Sequence, residues 1–273
     1  MNIGVFDSGL GGLIIAKSLI DAMPEYDFVY MGDTANVPYG QKTTEIIHKL
    51  TTDCINRMFE YENCGLIVVA CNTASVASLR KLQQIYMPSK FPNRKILGVI
   101  APTVEEVIKH KYKNIGLIAT QSTVDSSLYP EKFKESNYNI NITSLATPIL
   151  VQLIEKKRDD LAPYIIDRYI KQLSRLNPDI EALILGCTHY PYYKDLIGKS
   201  LQKFFKNSVP MISQDEIIAD SLKLYLNKHK EIENLLTKNE NRKFYVTKIN
   251  QKYKEQSTII MGYDIDIRQV SVE

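Results

Sequence analysis

The feature that most constrains the fold is a regular alternation of short apolar runs with longer helical patterns. Residues 66–70 read LIVVA and residues 182–185 read ALIL. Continuous apolar runs of this kind are typical of strands that are buried on both faces of a parallel sheet. Helical patterns of about 10–15 residues separate such runs, which predicts βαβ units with right-handed crossovers. The sequence therefore predicts an α/β fold with mainly parallel sheets.

The elements follow from this alternation. Strands are expected at residues 3–6, 27–31, 66–70, 115–119, 140–145, 182–185 and 208–212, at 96–100 as a strand or linker, and as brief β-type runs at 244–247 and 265–272. Helices are expected at residues 13–22, 43–61, 73–84, 102–110, 123–135, 149–155, 161–176 and 216–228, and after Tyr192. Residues 66–75 (LIVVACNTAS) and 183–191 (LILGCTHYP) both place an apolar strand before a cysteine and a helix start. Two related halves would give this likeness, and so would any two strand–turn–helix junctions.

Composition excludes several protein classes. The 34 basic and 31 acidic side chains leave a net charge of +3, which gives no electrostatic case for nucleic-acid binding. No apolar run approaches the ~18 residues that a membrane helix needs. The beginning of the chain, MNIGVFDSGLGG, lacks the basic and apolar regions of a signal peptide. We therefore expect a cytoplasmic protein whose four cysteines are reduced thiols.

Metal binding is not expected from the cysteine and histidine pattern. The four cysteines form no CxxC pair, and the four histidines are scattered along the chain. Structural zinc sites normally show close pairs of these residues. Three of the histidines lie in polar helical stretches and are expected at the surface: His48, His110 and His229. We therefore predict no metal site.

Two cysteines lie where ligands bind in doubly wound sheets. Cys71 and Cys187 each follow an apolar strand directly, and ligands bind beyond the carboxyl ends of such strands. The next residues, Asn72 or Thr73 after Cys71 and Thr188 after Cys187, can begin a helix. A thiol at a helix N-terminus lies in a positive partial field that favours the thiolate. Most cysteines without such followers are small buried hydrophobic residues, which is the expectation for the other two, Cys54 and Cys64.

Other polar residues are candidates by position. Asp7 and Ser8 end the first strand, at the sheet edge expected for Cys71. The glycines that follow, in DSGLGG, do not have the GxGxxG spacing of dinucleotide-binding loops, because the third position falls on Ile14. They instead suit a tight turn and the close approach of a small anionic ligand. His189 lies two residues after Cys187, where it can exchange a proton with the thiol.

Four blocks in this order resemble the cofactor-independent glutamate racemases of the aspartate/glutamate racemase superfamily. They are GVFDSGLGGL (4–13), GDTANVPYG (32–40), VVACNTAS (68–75) and LGCTHYP (185–191). The segments at 116–129 and 145–155 resemble the family more weakly. Ser122 stands where a glycine is usual, Thr147 where many members have cysteine, and Gln152 where proline is common. MISQ at 211–214 departs from an Ile-Asp-Ser pattern.

The resemblance implies a fold and a set of site residues. The implied fold has two pseudo-symmetric three-layer α/β/α domains with the active site in the cleft between them. The expected domains are residues 1–98 with 210–273, and residues 99–209. Cys71 and Cys187 would be the acid/base pair, with Asp7 assisting Cys71, and His189 and Glu155 assisting Cys187. The implied substrate-binding residues are Asp7, Ser8, Tyr39, Gly40, Asn72, Thr73, Thr120, Thr123, Thr188 and His189.

The same resemblance implies the function. The expected reaction is interconversion of L- and D-glutamate without pyridoxal phosphate, metal or nucleotide, which would supply D-glutamate for peptidoglycan. Inverting a stereocentre needs one group to remove a proton and a second, on the opposite face, to return one, and two thiols would meet this need. The expected partners are glutamate and a second copy of the chain in a homodimer, with neither nucleic acid nor a membrane. The alternatives are another amino-acid racemase, above all an aspartate racemase, a nucleotide-binding oxidoreductase, and a binding protein without catalysis.

Overall fold

A computed structural model describes residues 1–272, within which the chain forms two compact units. Unit 1 comprises residues 1–99 and the chain from Asp215 onward, and unit 2 comprises residues 100–214. The boundary at which the chain returns from unit 2 to unit 1 was expected between residues 209 and 210. In the structure this boundary follows residue 214, because residues 211–213 pair with a strand of unit 2.

Ten strands are formed in the described residues: β1 Asn2–Asp7, β2 Phe28–Gly32, β3 Cys64–Val69, β4 Lys95–Gly98, β5 Asn114–Ala119, β6 Asn141–Ala146, β7 Ala182–Gly186, β8 Met211–Ser213, β9 Arg242–Val246 and β10 Ile267–Gln269. Unit 1 has a six-stranded sheet in the order β10-β9-β2-β1-β3-β4. Unit 2 has a four-stranded sheet in the order β6-β5-β7-β8. Every strand pair in both sheets is parallel, as predicted.

The helices connect these strands. They are α1 Gly12–Ala22, α2 Thr44–Glu60, α3 at residues 72–90, α4 Ile100–Lys109, α5 Gln121–Asp125, α6 Leu128–Glu135, α7 Pro148–Glu155, α8 Ala162–Leu176, α9 Lys194–Phe204, α10 Gln214–Lys228, α11 Lys230–Glu233 and α12 Gln251–Met261. Within α3, π-helical turns cover Ser75–Leu79 and Leu82–Tyr86. Short 3-10 helices cover Tyr39–Gln41 and Tyr190–Tyr193.

Helices cover both faces of each sheet. In β3, Leu66 and Val68 pack into the cluster that α1, α10 and α12 form on one face of unit 1. Ile67 and Val69 pack into the opposite cluster, with α2 and α3. This alternation is the period of two that a strand imposes on its side chains. In unit 2, α7, α8 and α9 form the cluster on one face of the sheet. The predicted α/β class is thereby confirmed.

Two helix predictions were wrong. The helix predicted at 123–135 is divided into α5 and α6, because Ser127 adopts a left-handed backbone conformation with φ 55°. The polar tail was expected to hold only β-type runs, yet it also forms α12. The Asn250 side chain accepts a hydrogen bond from Tyr253 N–H at the start of α12, and Gly262 ends it with φ 81°. These end signals are local, so a tail without clear apolar periodicity still forms a helix.

None of the helices in the described part of the chain combines the length and the apolar character that crossing a bilayer requires.

Candidate active site

Each sheet has a cysteine just beyond its third strand. Numbered within its own unit, the order β2-β1-β3-β4 is 2-1-3-4, and so is β6-β5-β7-β8. In this order the connections diverge between the first and third strands, where doubly wound proteins bind ligands. Cys71 lies two residues after β3, and Cys187 follows β7 directly. The two residues therefore occupy the same topological position in their units.

The four cysteines fall into two classes by burial. Cys71 and Cys187 retain exposures of 6% and 7%, whereas Cys54 and Cys64 have none. Burial, and to a smaller extent nearby carboxylates, raises the pKa of both Cys54 and Cys64 above the usual thiol range. The prediction that these two are core residues is confirmed. No cysteine forms a disulfide in residues 1–272.

Cys71 lies between a helix start and a hydroxyl group. Its Sγ atom accepts a hydrogen bond from the backbone N–H of Ala74, 3.4 Å away, and so caps α3. The Oγ atom of Ser8 is 3.4 Å from the same sulfur. Ser8 is brought there because it follows β1, the strand that pairs with β3. Both contacts can stabilise negative charge on this sulfur.

Asp7 is fully buried at the end of β1. Its Oδ2 atom accepts a hydrogen bond from Gly9 N–H at 2.9 Å. The side chain packs against the start of α1 so closely that a Cβ atom added at Gly12 would overlap it. The third glycine of DSGLGG thus makes room for a side chain of the protein itself. The N-terminus of α1 also favours the negative charge of this carboxylate.

A second buried carboxylate, Asp33, holds the loop that carries Tyr39 and Gly40. Its Oδ2 atom accepts a hydrogen bond from Tyr39 OH at 2.6 Å, and its Oδ1 atom accepts one from Thr247 Oγ1 at 2.7 Å. The side-chain amide of Asn36 donates to both oxygens. Burial, together with the charge and the hydrogen bond of Asp33, raises the pKa of Tyr39. Tyr39 therefore remains a neutral hydrogen-bond donor to Asp33.

The thiol of Cys187 faces an imidazole and a carboxylate. His189 Nδ1 is 3.7 Å from Cys187 Sγ, and His189 Nε2 is 2.8 Å from Glu155 Oε1. Burial alone would lower the pKa of His189, but its hydrogen bonds to Cys187 and Glu155 outweigh burial and raise it. Glu155 is the last residue of α7 and is 20% exposed at its side chain. A protonated imidazole between a sulfur and a carboxylate can stabilise a thiolate and return a proton to it.

The threonine pair of unit 2 lies at the end of β5, the first strand of its sheet. Thr120 Oγ1 accepts a hydrogen bond from Thr123 N–H at 3.2 Å, and the two hydroxyl oxygens are 2.9 Å apart. Thr120 and Thr123 thus take, in unit 2, the place that Asp7 and Ser8 take in unit 1. The other candidate binding residues are also nearly fully buried at the strand ends: Asn72, Thr73 and Thr188.

Known proteins share both the sequence pattern and this arrangement of strands. Residues 15–221 match the family described as Asp/Glu/Hydantoin racemase. The chain belongs to this family. It is 34% identical to the glutamate racemase of Dinoroseobacter shibae over 85% of this chain and 86% of that protein. It is also 34% identical to the glutamate racemase of a Hydrogenobaculum species, over 100% of this chain and 98% of that protein.

A solved structure gives the same result. The crystal structure of glutamate racemase from Francisella tularensis in complex with D-glutamate matches with a TM-score of 0.87 and 30% identity, over 100% of this chain and 98% of that one. The resemblance predicted from the four sequence blocks is therefore confirmed. Family membership makes the chain an isomerase of the racemase type, and the oxidoreductase alternative is wrong.

The predicted residues divide between the two units. The group in unit 1 contains Asp7, Ser8, Tyr39, Gly40, Cys71, Asn72 and Thr73, and the group in unit 2 contains Thr120, Thr123, Glu155, Cys187, Thr188 and His189. Asp33 and Thr247 were missed as functional candidates, although Asp33 lies in the GDTANVPYG block. Within residues 1–272, no three or more His, Cys, Asp or Glu side chains are arranged to hold a metal ion.

Proposed function

We propose that this protein is a glutamate racemase in which Cys71 and Cys187 exchange the α-proton of the substrate. One sulfur is a thiolate that removes the α-proton, and the other is a thiol that donates a proton to the opposite face. The two sulfurs exchange protonation states in each turnover and do so again in the reverse reaction. No pyridoxal phosphate, metal or nucleotide takes part.

The equivalent positions of the two cysteines carry this proposal. Both follow the third strand of a 2-1-3-4 sheet, both retain some exposure, and both contact polar groups, whereas Cys54 and Cys64 are core residues. The relatives named glutamate racemase over most of the chain support glutamate, rather than aspartate, as the substrate.

The neighbours of each sulfur have roles in this proposal. Ser8 and the N–H of Ala74 stabilise the Cys71 thiolate, and Asp7 assists it by holding the substrate ammonium group. His189, held by Glu155, stabilises the Cys187 thiolate and exchanges a proton with it. The remaining polar residues bind the ammonium and carboxylate groups: Ser8, Tyr39, Gly40, Asn72, Thr73, Thr120, Thr123, Thr188 and His189. Donors that are oriented before the reaction stabilise charge that develops on the α-carboxylate.

Racemisation in D₂O tests the reaction and the number of bases together. L-glutamate is incubated with the protein, and the products are analysed by chiral chromatography and by α-proton NMR. If two thiols take part and both have exchanged with D₂O, the D-glutamate carries deuterium from its first appearance, while the remaining L-glutamate still carries its original α-proton. A single base would return part of the original proton to the product. Aspartate in a parallel reaction tests the alternative substrate, and racemisation of aspartate alone would contradict the proposal.

The proposed biological role is the supply of D-glutamate for peptidoglycan. Depletion of the protein in its own cells is expected to stop growth unless D-glutamate is added. Growth that continues without D-glutamate would contradict this role but not the reaction. We further propose that the protein acts in the cytoplasm as a homodimer, for which light scattering of the purified protein is the direct measurement.

A further inference from the structure

The helix that carries Glu155 is short and needs to be held in place. Helix α7 has eight residues, Pro148–Glu155, and Glu155 is the last of them. Isolated helices of this length are not stable in water, so packing and end contacts fix their position. Since the 2.8 Å contact with His189 is made at this end of α7, its geometry depends on what holds the helix.

Tyr190 holds the start of α7. Its hydroxyl oxygen is 2.7 Å from Oγ1 of Thr147, the residue before the helix, and both side chains are fully buried. Thr147 Oγ1 and Thr147 N–H both donate to the carbonyl of Ala119 at the end of β5, at 3.3 and 2.8 Å. A consistent chain of donors therefore runs from Tyr190 OH through Thr147 Oγ1 to Ala119. It joins the start of α7 to the central strand β5.

Tyr193 holds the chain beyond the other end of α7. Its hydroxyl group donates to Asp159 Oδ1 at 2.8 Å, and the side chain is only 3% exposed. Asp159 lies four positions after Glu155 in the chain. The five residues 189–193 thus contact α7 before its start, at its last residue and beyond its end. We call Tyr190, Tyr193, Thr147 and Asp159 the α7 clamp.

We propose that the α7 clamp positions Glu155 against His189, so that Tyr190, Tyr193, Thr147 and Asp159 are positioning residues for the Cys187 half of the reaction. The inference rests on the proposed function, because it concerns the same site. It also gives a reason for the hydroxyl at position 147: a threonine both pairs with Tyr190 and bonds Ala119. The clamp residues need not touch the substrate for this role.

Two substitutions at position 147 separate the hydroxyl bond from simple packing. Thr147→Val keeps the shape and loses the hydroxyl group, whereas Thr147→Ser keeps the hydroxyl group and loses a methyl group. If the hydroxyl bond positions Glu155, Thr147→Val lowers kcat about 10-fold, whereas Thr147→Ser changes kcat little. The loss expected for Thr147→Val is smaller than the ~10²-fold loss that a misplacement of ~1 Å causes. If Thr147 only fills space, the serine variant is the more damaged, and the inference is overturned.

Tyr193→Phe and Asp159→Asn test the other end of the clamp. Tyr193→Phe removes the donor of the 2.8 Å hydrogen bond, and Asp159→Asn replaces its carboxylate acceptor with the weaker, neutral amide oxygen. Each is expected to lower kcat a few-fold, with KM for glutamate nearly unchanged. Tyr164→Phe is the matched control, because Tyr164 lies in unit 2 and is 76% exposed. Thermal unfolding of every variant identifies those that lose activity through misfolding. Folded Tyr193→Phe and Asp159→Asn variants with full activity would remove Tyr193 and Asp159 from the clamp.

Isotope effects show which half of the reaction is affected. The primary isotope effect with α-deuterated glutamate rises most for the enantiomer whose proton is removed by the impaired base. Thr147→Val is expected to raise it for the same enantiomer as Glu155→Gln, and Ser8→Ala for the opposite one. An isotope effect that rises equally for both enantiomers, or for the same enantiomer as Ser8→Ala, would contradict the inference.

A measurement without turnover separates this inference from the proposed function. The titratable groups that act on His189 are Cys187 and Glu155, and contact with Glu155 raises the His189 pKa. Loosening Glu155 in Thr147→Val is therefore expected to lower the His189 pKa, measured by NMR of the imidazole, in the direction that Glu155→Gln lowers it. If the wild type does not racemise glutamate, the proposed function fails. If it does and the His189 pKa is unchanged in Thr147→Val, only the clamp fails.

Discussion

The two units place a thiol at the same topological point but surround it differently. In unit 1, Cys71 contacts the Ser8 hydroxyl and the Ala74 backbone N–H, groups that donate hydrogen bonds without changing charge near neutral pH. In unit 2, Cys187 contacts His189, an imidazole that can gain and lose a proton and that is held by Glu155. The fold therefore repeats the position of the sulfur, while the local sequence determines which groups surround it.

The residue that follows the second strand of each unit, β2 in unit 1 and β6 in unit 2, also has the same position but a different local role. A buried polar residue follows this strand in both sheets, Asp33 after β2 and Thr147 after β6. Each contacts a tyrosine hydroxyl, at 2.6 Å for Asp33 with Tyr39 and 2.7 Å for Thr147 with Tyr190. In unit 1 the bond holds a loop with candidate binding residues, and in unit 2 it holds the helix with Glu155. One topology thus supports two different local tasks.

Removing either thiol should have the largest effect. Cys71→Ala and Cys187→Ala are each expected to lower kcat for glutamate by about 10²–10⁴-fold, the usual contribution of a positioned acid or base. The measurement is circular dichroism or chiral chromatography from both enantiomers. Cys64→Ala is the control, because that thiol lies at the beginning of β3 and in the core. Near-normal turnover in Cys71→Ala or Cys187→Ala would contradict the proposal that both thiols take part in the reaction.

Replacing the residues that contact each sulfur should lower kcat to different extents in the two units. His189→Asn removes a contact between charged groups, which typically contributes about 1.5–3 kcal/mol, and is expected to lower kcat about 10- to 150-fold. Ser8→Ala removes the hydroxyl group that contacts Cys71 and is expected to lower kcat only about 2- to 10-fold. Steady-state rates with each enantiomer measure both effects. A larger loss in Ser8→Ala than in His189→Asn would reverse the proposed difference between the halves.

The sequence was sufficient for the parts of the site that depend on strand ends. Parallel strands bring their carboxyl ends to one edge, so the order of strands and turns along the chain is enough to group Asp7, Ser8 and Cys71. The Asp33–Thr247 contact could not be predicted in this way, because 214 positions separate the two residues. They meet only because β9 pairs with β2, and no local pattern determines which strand lies beside which.

The same limit applies to α7. Apolar spacing predicted a helix at 149–155, close to its observed range, and the resemblance implied that Glu155 assists Cys187. The hydroxyl partner of Tyr190 depends instead on how the 190–193 turn packs on α7, which side-chain types alone do not determine. The tyrosines of HYPYY were consequently not recognised as positioning residues.

Glycine substitutions test the packing that supports unit 1. Gly12→Ala places a Cβ atom against the Asp7 side chain and is expected to destabilise the protein by about 1–3 kcal/mol, as overpacking usually does. Gly198→Ala in α9 is the control in unit 2, where the nearest atom would be Met211 Cε at 3.5 Å. Because it removes conformational freedom from the unfolded chain, it is expected to stabilise by about 0.4–1 kcal/mol. Urea unfolding measures both, and a stable Gly12→Ala protein would show that Asp7 can move.

The smallest expected effect that distinguishes the two units is the pH dependence of stability. The raised pKa of His189 means that the folded protein holds this proton to a higher pH than the unfolded chain, where histidine titrates near 6.5. Its contribution to stability is therefore complete below about pH 6.5 and is lost as the pH rises through the folded pKa.

The comparison that measures this contribution is wild type against His189→Asn. The difference in their free energies of unfolding is expected to shrink as the pH rises above about 6.5 and through the raised pKa of the folded His189. Ser8→Ala, which changes only a hydroxyl group beside Cys71, should not show a difference from wild type that shrinks as the pH rises. Since Cys187 and Glu155 are the groups that act on His189, Glu155→Gln should weaken the pH dependence without removing it. A difference that grows with pH would mean that His189 folds neutral, and Cys187 would then have no imidazolium to stabilise its thiolate.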